Sequence, residues 1–286
     1  MQENRQDSMK VACIQMCSGR DVDRNIADAS QQIRTAAAHG AGFILTPEMT
    51  NLLDENKQNL YAKVSPMDDD RAVKAFAELA ASLDIHLLIG SLALQSGDGK
   101  LVNRSILFLP DGSIGAWYDK IHMFDVDLGE GEFYRESANY NAGEKAVTTP
   151  LAWGTLGMSI CYDVRFAHLY RQMAQGGAQF LSVPAAFTRP SGQAHWHVLL
   201  RARAIETGCF VFAPAQTGAH ENGRQTFGHS LIISPWGEIL AEAGETPEII
   251  YADIDVQKVD EARGKIPALQ HDRAFSLKHI TIKGIQ

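Results

Sequence analysis

Hydrophobic and polar positions alternate with a period of two over Met9 to Met16, M-K-V-A-C-I-Q-M, which predicts a strand. From Asp23 to His39 the period lengthens. Ile26, Ala29, Ile33 and the Ala36–Ala37 pair fall at helical spacing, and Gly40 follows as a stop. Gly42 to Thr46, G-F-I-L-T, is a continuous apolar run ended by Pro47 and Glu48, the pattern of a strand covered on both faces. Asp70 to Leu83 predicts a second amphipathic helix. Ile85 to Leu94 and Ser105 to Leu109 read as strands, and Pro110-Asp111-Gly112 turns the chain back into Ile114 to Tyr118.

The period is lost from Lys120 to Glu144, a polar stretch with glycines and acids that reads as a long loop; inside a compact domain such a loop is usually functional or disordered. Regularity returns at Val147, passes a Trp153-Gly154 turn, and ends in Leu156 to Ile160 followed by Cys161. The next helix is expected to bury Phe166, Leu169, Tyr170 and Met173. After a strand at Phe180 to Val183, a helix over Gln193 to Thr207 is predicted, with Ala194, Val198, Ala202 and Ile205 on its buried face and Gly208 as its cap. Phe210 to Ala213, Ser230 to Ile233, Ile239 to Ala241 and Ile249 to Ile254 are further strands. Strands alternating with helices, and hairpins mixed among them, predict α/β layers with mixed sheets.

Length changes this picture little: 286 residues without an internal repeat or a break in composition suit one large domain, taken as 9–273. Residues 1–8 read as a polar tail, and 274–286 as a C-terminal tail suited to docking on a partner subunit. The net charge of −8 argues against nucleic acid and anionic membranes as partners. No apolar run reaches the ~18–20 residues of a membrane helix, and the first residues lack an apolar secretory core. The four scattered cysteines, with no C-x-x-C, read as reduced thiols in a cytoplasmic protein and not as a zinc site.

Three chemically able side chains stand where an apolar strand gives way to a loop: Glu48, Lys120 and Cys161. Ligands of α/β folds collect at the carboxyl ends of strands. A thiol of ordinary pKa, ~8.5, is mostly protonated at neutral pH and needs a base or a positive field. Glu48 could take the proton, Lys120 could stabilise charge developing on a substrate oxygen, and the backbone N–H of Tyr162 would be a second oxyanion donor. Attack on a carbonyl would give a thioester that water cleaves. The rival base is a histidine: His122, His168, His195, His197 or His229. His168 falls opposite the apolar face of its helix, and none of the five sits in a known Cys–His motif, so each reads as structural. Phosphate loops, the dinucleotide fingerprint, H-E-x-x-H and G-x-S-x-G are absent.

L-T-P-E-M at Glu48, Y-D-K-I-H-M-F-D at Lys120 and S-I-C-Y-D-V-R-F at Cys161, in that order, resemble the nitrilase superfamily of carbon–nitrogen hydrolases over nearly the whole chain, from about Met9 to about Arg273. The resemblance implies a four-layer α-β-β-α sandwich, pairing into a homodimer or larger homo-oligomer, a small amide as substrate, and neither metal nor organic cofactor. It implies a Glu48–Lys120–Cys161 triad, and it maps a second glutamate onto Glu136 of R-E-S, inside the long loop. The run Ala186 to Thr207 resembles the deaminated-glutathione amidases in particular, and the C-Y-D-V-R-F block also resembles omega-amidases. On that likeness Arg165 would take the substrate's carboxylate with its bidentate fork, Phe187 would pack on the substrate chain, and Ser191 would donate a hydrogen bond. Two departures stand out: Ala167-His168 replace a usual Pro-Glu, and Ser191 replaces a usual threonine. A nitrile-cleaving member, or a non-catalytic binding member of the same fold, is the alternative.

Overall fold

The structure, a computed structural model, describes residues 7–54, 56–129, 133–221 and 223–280. The alternation near the N-terminus becomes the strand Ser8–Gln15, and its side chains divide by parity. Val11 and Cys13 point into a core shared by two sheets, whereas Ala12 and Ile14 join Ile33 and Phe76 of the outer helices. The first sheet runs, in spatial order, Glu248–Asp255, Ser8–Gln15, Phe43–Leu45, His86–Gln95, Leu101–Phe108 and Ile114–Asp119, with Tyr140–Asn141 beside Leu101–Phe108. Two of its three parallel pairings are the crossovers through helices Val22–Ala38 and Arg71–Leu83; the third joins Leu101–Phe108 to Tyr140–Asn141.

The second sheet runs Ile239–Glu242, Leu231–Ile233, Phe210–Ala213, Phe180–Ser182, Gly154–Met158 and Val147–Leu151, parallel at its centre and antiparallel at both edges. Helices Ala167–Gln175 and Arg189–Thr207 pack on its outer face. The two sheets meet through apolar side chains, Phe43 of one lying edge-on to Phe212 of the other at 6.0 Å. The result is the expected α-β-β-α sandwich of mixed sheets, and it brings loops from both sheets together at one end.

Three expectations need correction. The helix Arg189–Thr207 buries Trp196, Leu200, Arg203, Ala204 and Thr207, while Val198 and Ile205, assigned to its inner face, are 70% and 55% exposed. The apolar stripe was misread because an arginine lies in the true one. Arg203 is satisfied there: it donates to the Val164 carbonyl and to Glu206, and its guanidinium lies over the Tyr170 ring. Phe166, expected in the core, precedes helix Ala167–Gln175 and is half-buried, stacked on His122 at 3.5 Å. The stretch after Lys120 is not wholly irregular. Asp125–Asp127 pairs with Phe133–Arg135, a 3-10 turn spans Glu136–Ala138, and Tyr140–Asn141 joins the first sheet. Strands of two or three residues are too short to show a period. His168 is exposed and Cys13 fully buried, as read from the sequence. Residues 271–280 carry no regular structure and expose Phe275, Leu277 and Ile280; the rest of the C-terminal tail and residues 1–6 lie outside the described residues. Among the described residues no helix is long and apolar enough to cross a membrane.

Candidate active site

The ends of four strands converge. Glu48 follows Phe43–Leu45, Lys120 follows Ile114–Asp119, Cys161 follows Gly154–Met158, and Glu136 follows Phe133–Arg135. Their approach depends on Gly90, in the strand His86–Gln95 where the pairing register shifts. A Cβ there would lie 2.0 Å from the Thr46 carbonyl oxygen, 2.6 Å from that of Pro47 and 2.5 Å from the Pro184 side chain. Pro47 leads into Glu48, and the Pro184 carbonyl accepts the Cys161 N–H at 2.9 Å. The missing side chain thus lets the Glu48 loop of one sheet close on the Cys161 turn of the other. Cys161 itself has φ 50° and Met49, after Glu48, φ 58°. Non-glycine residues seldom occupy that left-handed region, and its cost is met by surrounding packing where a side chain must be aimed.

Lys120 is fully buried and sits between two carboxylates, 2.8 Å from Glu48 Oε1 and 2.8 Å from Glu136 Oε2. Asn103, buried in the strand Leu101–Phe108, donates its amide to the same Glu48 oxygen at 2.9 Å and to Glu136 Oε1 at 3.0 Å. The Ala186 N–H donates to Glu48 Oε2 at 2.9 Å, and the Phe124 N–H to Glu136 Oε2 at 2.7 Å. Cys161 lines the same cavity as Glu48 and Lys120, and the charges of both act on its thiol.

Each ionisation follows from these contacts. Burial works to raise Glu48, but the charge and hydrogen bond of Lys120 outweigh it and hold this carboxyl below its ordinary range. Burial works to lower Lys120, yet the charges of Glu136 and Glu48 carry it well above the ordinary lysine value. Burial pushes the Cys161 thiol far up, and the negative charge of Glu48 pushes it further. The resting site therefore holds a carboxylate, an ammonium and a neutral thiol. A carboxylate and a cation on the same cavity wall can draw the proton from the sulfur during attack, without maintaining a free thiolate.

These groups line a cavity of about 320 Å³. Of the residues singled out in the sequence, Glu48, Lys120, Glu136, Cys161, Tyr162, Phe187 and Ser191 all line it. Arg165 does not: its guanidinium lies at 5.4 Å over Phe187 and 5.8 Å over Tyr162, with His195 Nδ1 at 3.3 Å. No histidine is among the lining residues, and His122 Nδ1 bonds to Asp163 at 2.6 Å, away from the thiol.

Sequence reasoning missed several parts. Buried Asp163 accepts from Tyr118 Oη at 2.7 Å and the Ile160 N–H at 2.9 Å, tying the turn at Cys161 to the strand before Lys120. Gln216 Nε2 holds the Glu48 carbonyl at 2.9 Å. Arg224 lines the cavity, packs over Tyr134 and donates to the Ala186 carbonyl. Asn103 and Asp163 had a readable signal, a polar residue inside or beside an apolar strand; Arg224, in a turn between short strands, had none.

The fold and this constellation define a carbon–nitrogen hydrolase. A sequence model of that family, "Carbon-nitrogen hydrolase", matches residues 10–264, and the chain belongs to it. It is 41% identical over 265 residues to a deaminated glutathione amidase of Synechocystis sp., covering 91% of this chain and 96% of that one. It is 33% identical to the human omega-amidase NIT2, over 93% and 96% of the two chains. The crystal structure of the Caenorhabditis elegans NitFhit protein superposes with a TM-score of 0.87 at 35% identity, over 94% of this chain and 66% of that longer one.

Proposed function

We propose that this protein is a thiol amidase that hydrolyses the omega-amide of a small carboxylate, deaminated glutathione or a related 2-oxo acid amide, and releases the acid and an amine or ammonia. The observation that carries the reading is the ion-paired series Glu48–Lys120–Glu136 on the wall of one cavity that Cys161 also lines. In this mechanism Cys161 Sγ attacks the amide carbon while Glu48 takes the thiol proton. Lys120 Nζ and the Tyr162 N–H stabilise the negative oxygen of the tetrahedral intermediate. Collapse breaks the C–N bond, with the proton on Glu48 passing to the leaving nitrogen. Glu48 then deprotonates a water that cleaves the thioester, and the acid leaves. Glu136 acts through Lys120, fixing its position and sharing its charge.

The substrate class rests on the cavity and the relatives. Phe187 and Tyr134 offer apolar walls, Ser191 a hydroxyl, and Arg224 a cation inside the cavity. Arg165, held over Phe187 at the edge, supplies a second cation for a carboxylate extending outward. The Synechocystis relative is described as a deaminated glutathione amidase, and the human one as an omega-amidase. The homo-oligomer belongs to the same proposal. Val198 and Ile205 on the outer face of helix Arg189–Thr207, Trp236 in the turn after Leu231–Ile233, and Phe275 and Leu277 of the C-terminal segment are exposed apolar side chains that a second copy would cover.

Intact-mass spectrometry tests the chemistry. Wild-type protein mixed with deaminated glutathione, 2-oxoglutaramate, simple amides and nitriles is expected to carry an acyl adduct with 2-oxo acid amides, and Cys161→Ser to carry none and turn over nothing while keeping its fold. A protein that never acylates is a binding member of the family. Faster turnover of nitriles than of every amide makes it a nitrilase.

A further inference from the structure

Away from the cavity, three side chains from three elements converge on one point. His197 stands in helix Arg189–Thr207, His229 in the turn before Leu231–Ile233, and Glu242 ends the strand Ile239–Glu242. Glu242 Oε1 lies 2.9 Å from His197 Nε2 and 2.9 Å from His229 Nδ1, and the three atoms all fall within 4.8 Å of one another. We propose that His197, His229 and Glu242 form a binding site for a divalent transition-metal ion, zinc in the first place, separate from the amide-cleaving site.

Two imidazoles and one carboxylate, with further positions open to water, are a standard ligand set for Zn²⁺, with bonds of ~2.0–2.2 Å. Bonds of that length in tetrahedral geometry separate the ligand atoms by about 3.3 Å. The two 2.9 Å contacts to Glu242 therefore need to open by less than half an ångström, while the two imidazole nitrogens, within 4.8 Å of each other, turn toward the ion between them. The side chains are 32%, 23% and 36% exposed, which leaves an entry path and room for water ligands.

The cluster is also built to hold its shape. The Phe227 ring stacks under His229 at 4.4 Å and meets His197 edge-on at 6.0 Å, limiting the rotation of both imidazoles. His229 has φ 54°, a strained backbone conformation that aims its ring at the cluster. Trp196 Nε1 grips the His229 carbonyl at 2.7 Å, so the helix and the turn are already in register. A bound ion would clamp the helix that carries Ser191 to the hairpin behind it.

The test uses the full chain with Cys17 and Cys161 changed to serine, so that no exposed or nucleophilic thiol competes. It is titrated with Co²⁺ and then Zn²⁺. One equivalent of Co²⁺ should bind and give d–d absorption without thiolate charge transfer, Zn²⁺ should displace it, and Zn²⁺ should raise Tm. His197→Ala and Glu242→Gln, each checked for fold by circular dichroism, should weaken binding by about tenfold or more. His39→Ala, an exposed histidine elsewhere, should leave it unchanged. Absence of stoichiometric binding, or binding that survives both cluster variants, overturns the proposal. Activity is not the readout, so the outcome is independent of the amidase assignment.

Discussion

Glu136→Gln isolates one charge in the buried series while keeping shape and the acceptor for the Phe124 N–H. Glu48 and Glu136 each lie 2.8 Å from Lys120 Nζ, so their nearest oxygens can be no more than twice that, about 5.6 Å, apart. At an effective dielectric of ~20, two like charges at that distance repel by at least about 3 kcal/mol. Glu136 therefore makes Glu48 a stronger base than Lys120 alone would leave it. Removing the charge lowers the proton affinity of Glu48 by about that amount. With the proton about half transferred in the transition state, the barrier rises by ~1.5 kcal/mol, a loss of roughly tenfold in kcat. The assay is ammonia release from 2-oxoglutaramate at saturating substrate, with KM measured alongside. KM should move less than kcat, because the bound ground state does not yet transfer the proton. An unchanged kcat in a variant that folds would refute the coupling and remove Glu136 from the reaction.

Other consequences follow from the same geometry. Asn103→Ala strips one donor from both carboxylates and should cost about 1–3 kcal/mol of stability, read by denaturant unfolding, together with a clear fall in kcat; a silent variant would show that Lys120 alone holds the pair. Gly90→Ala places a methyl group against the Thr46 and Pro47 carbonyls and should destabilise by about 3 kcal/mol or more; a loss below ~1 kcal/mol would mean the two loops do not close there. Glu48, depressed, is ionised throughout the neutral range, and Cys161, raised, stays protonated through it. Hence kcat/KM should be level from about pH 6 to 9 and fall only in acid, as Glu48 is protonated; a rise centred near ~8.5, the ordinary thiol value, would point to a free thiolate nucleophile.

The candidate site residues were legible because each occupies a place that sequence marks clearly. Glu48, Lys120 and Cys161 end apolar strands, and an ionisable group at such a position is costly unless it is used or paired. The layered fold was equally legible, since periods of two and of 3.6 persist over the long elements. Short strands were legible only as apolar runs, as at Phe43–Leu45 and Phe180–Ser182; short polar strands show neither a run nor a period, and so the pairing of Asp125–Asp127 with Phe133–Arg135 was read as loop. The inner face of Arg189–Thr207 was misjudged for another reason. Periodicity weighs side chains by polarity, while burial is decided by partners, and Arg203 has partners that only the neighbouring turn supplies.

What the sequence determined by itself is thus the inventory: the α/β layers, and a thiol, a carboxylate and an amine at strand ends. Only the tertiary structure decided their charge states and their distances. These depend on groups far apart in the chain: Asn103 spanning Glu48 and Glu136, the Ala186 amide on Glu48, and the bare face of Gly90 that lets two sheets close. The physical reason is that burial and Coulomb interactions act over a few ångströms of space, whatever the separation along the chain. The same holds for His197, His229 and Glu242, which no spacing in the sequence relates and which meet only because a helix packs on a hairpin.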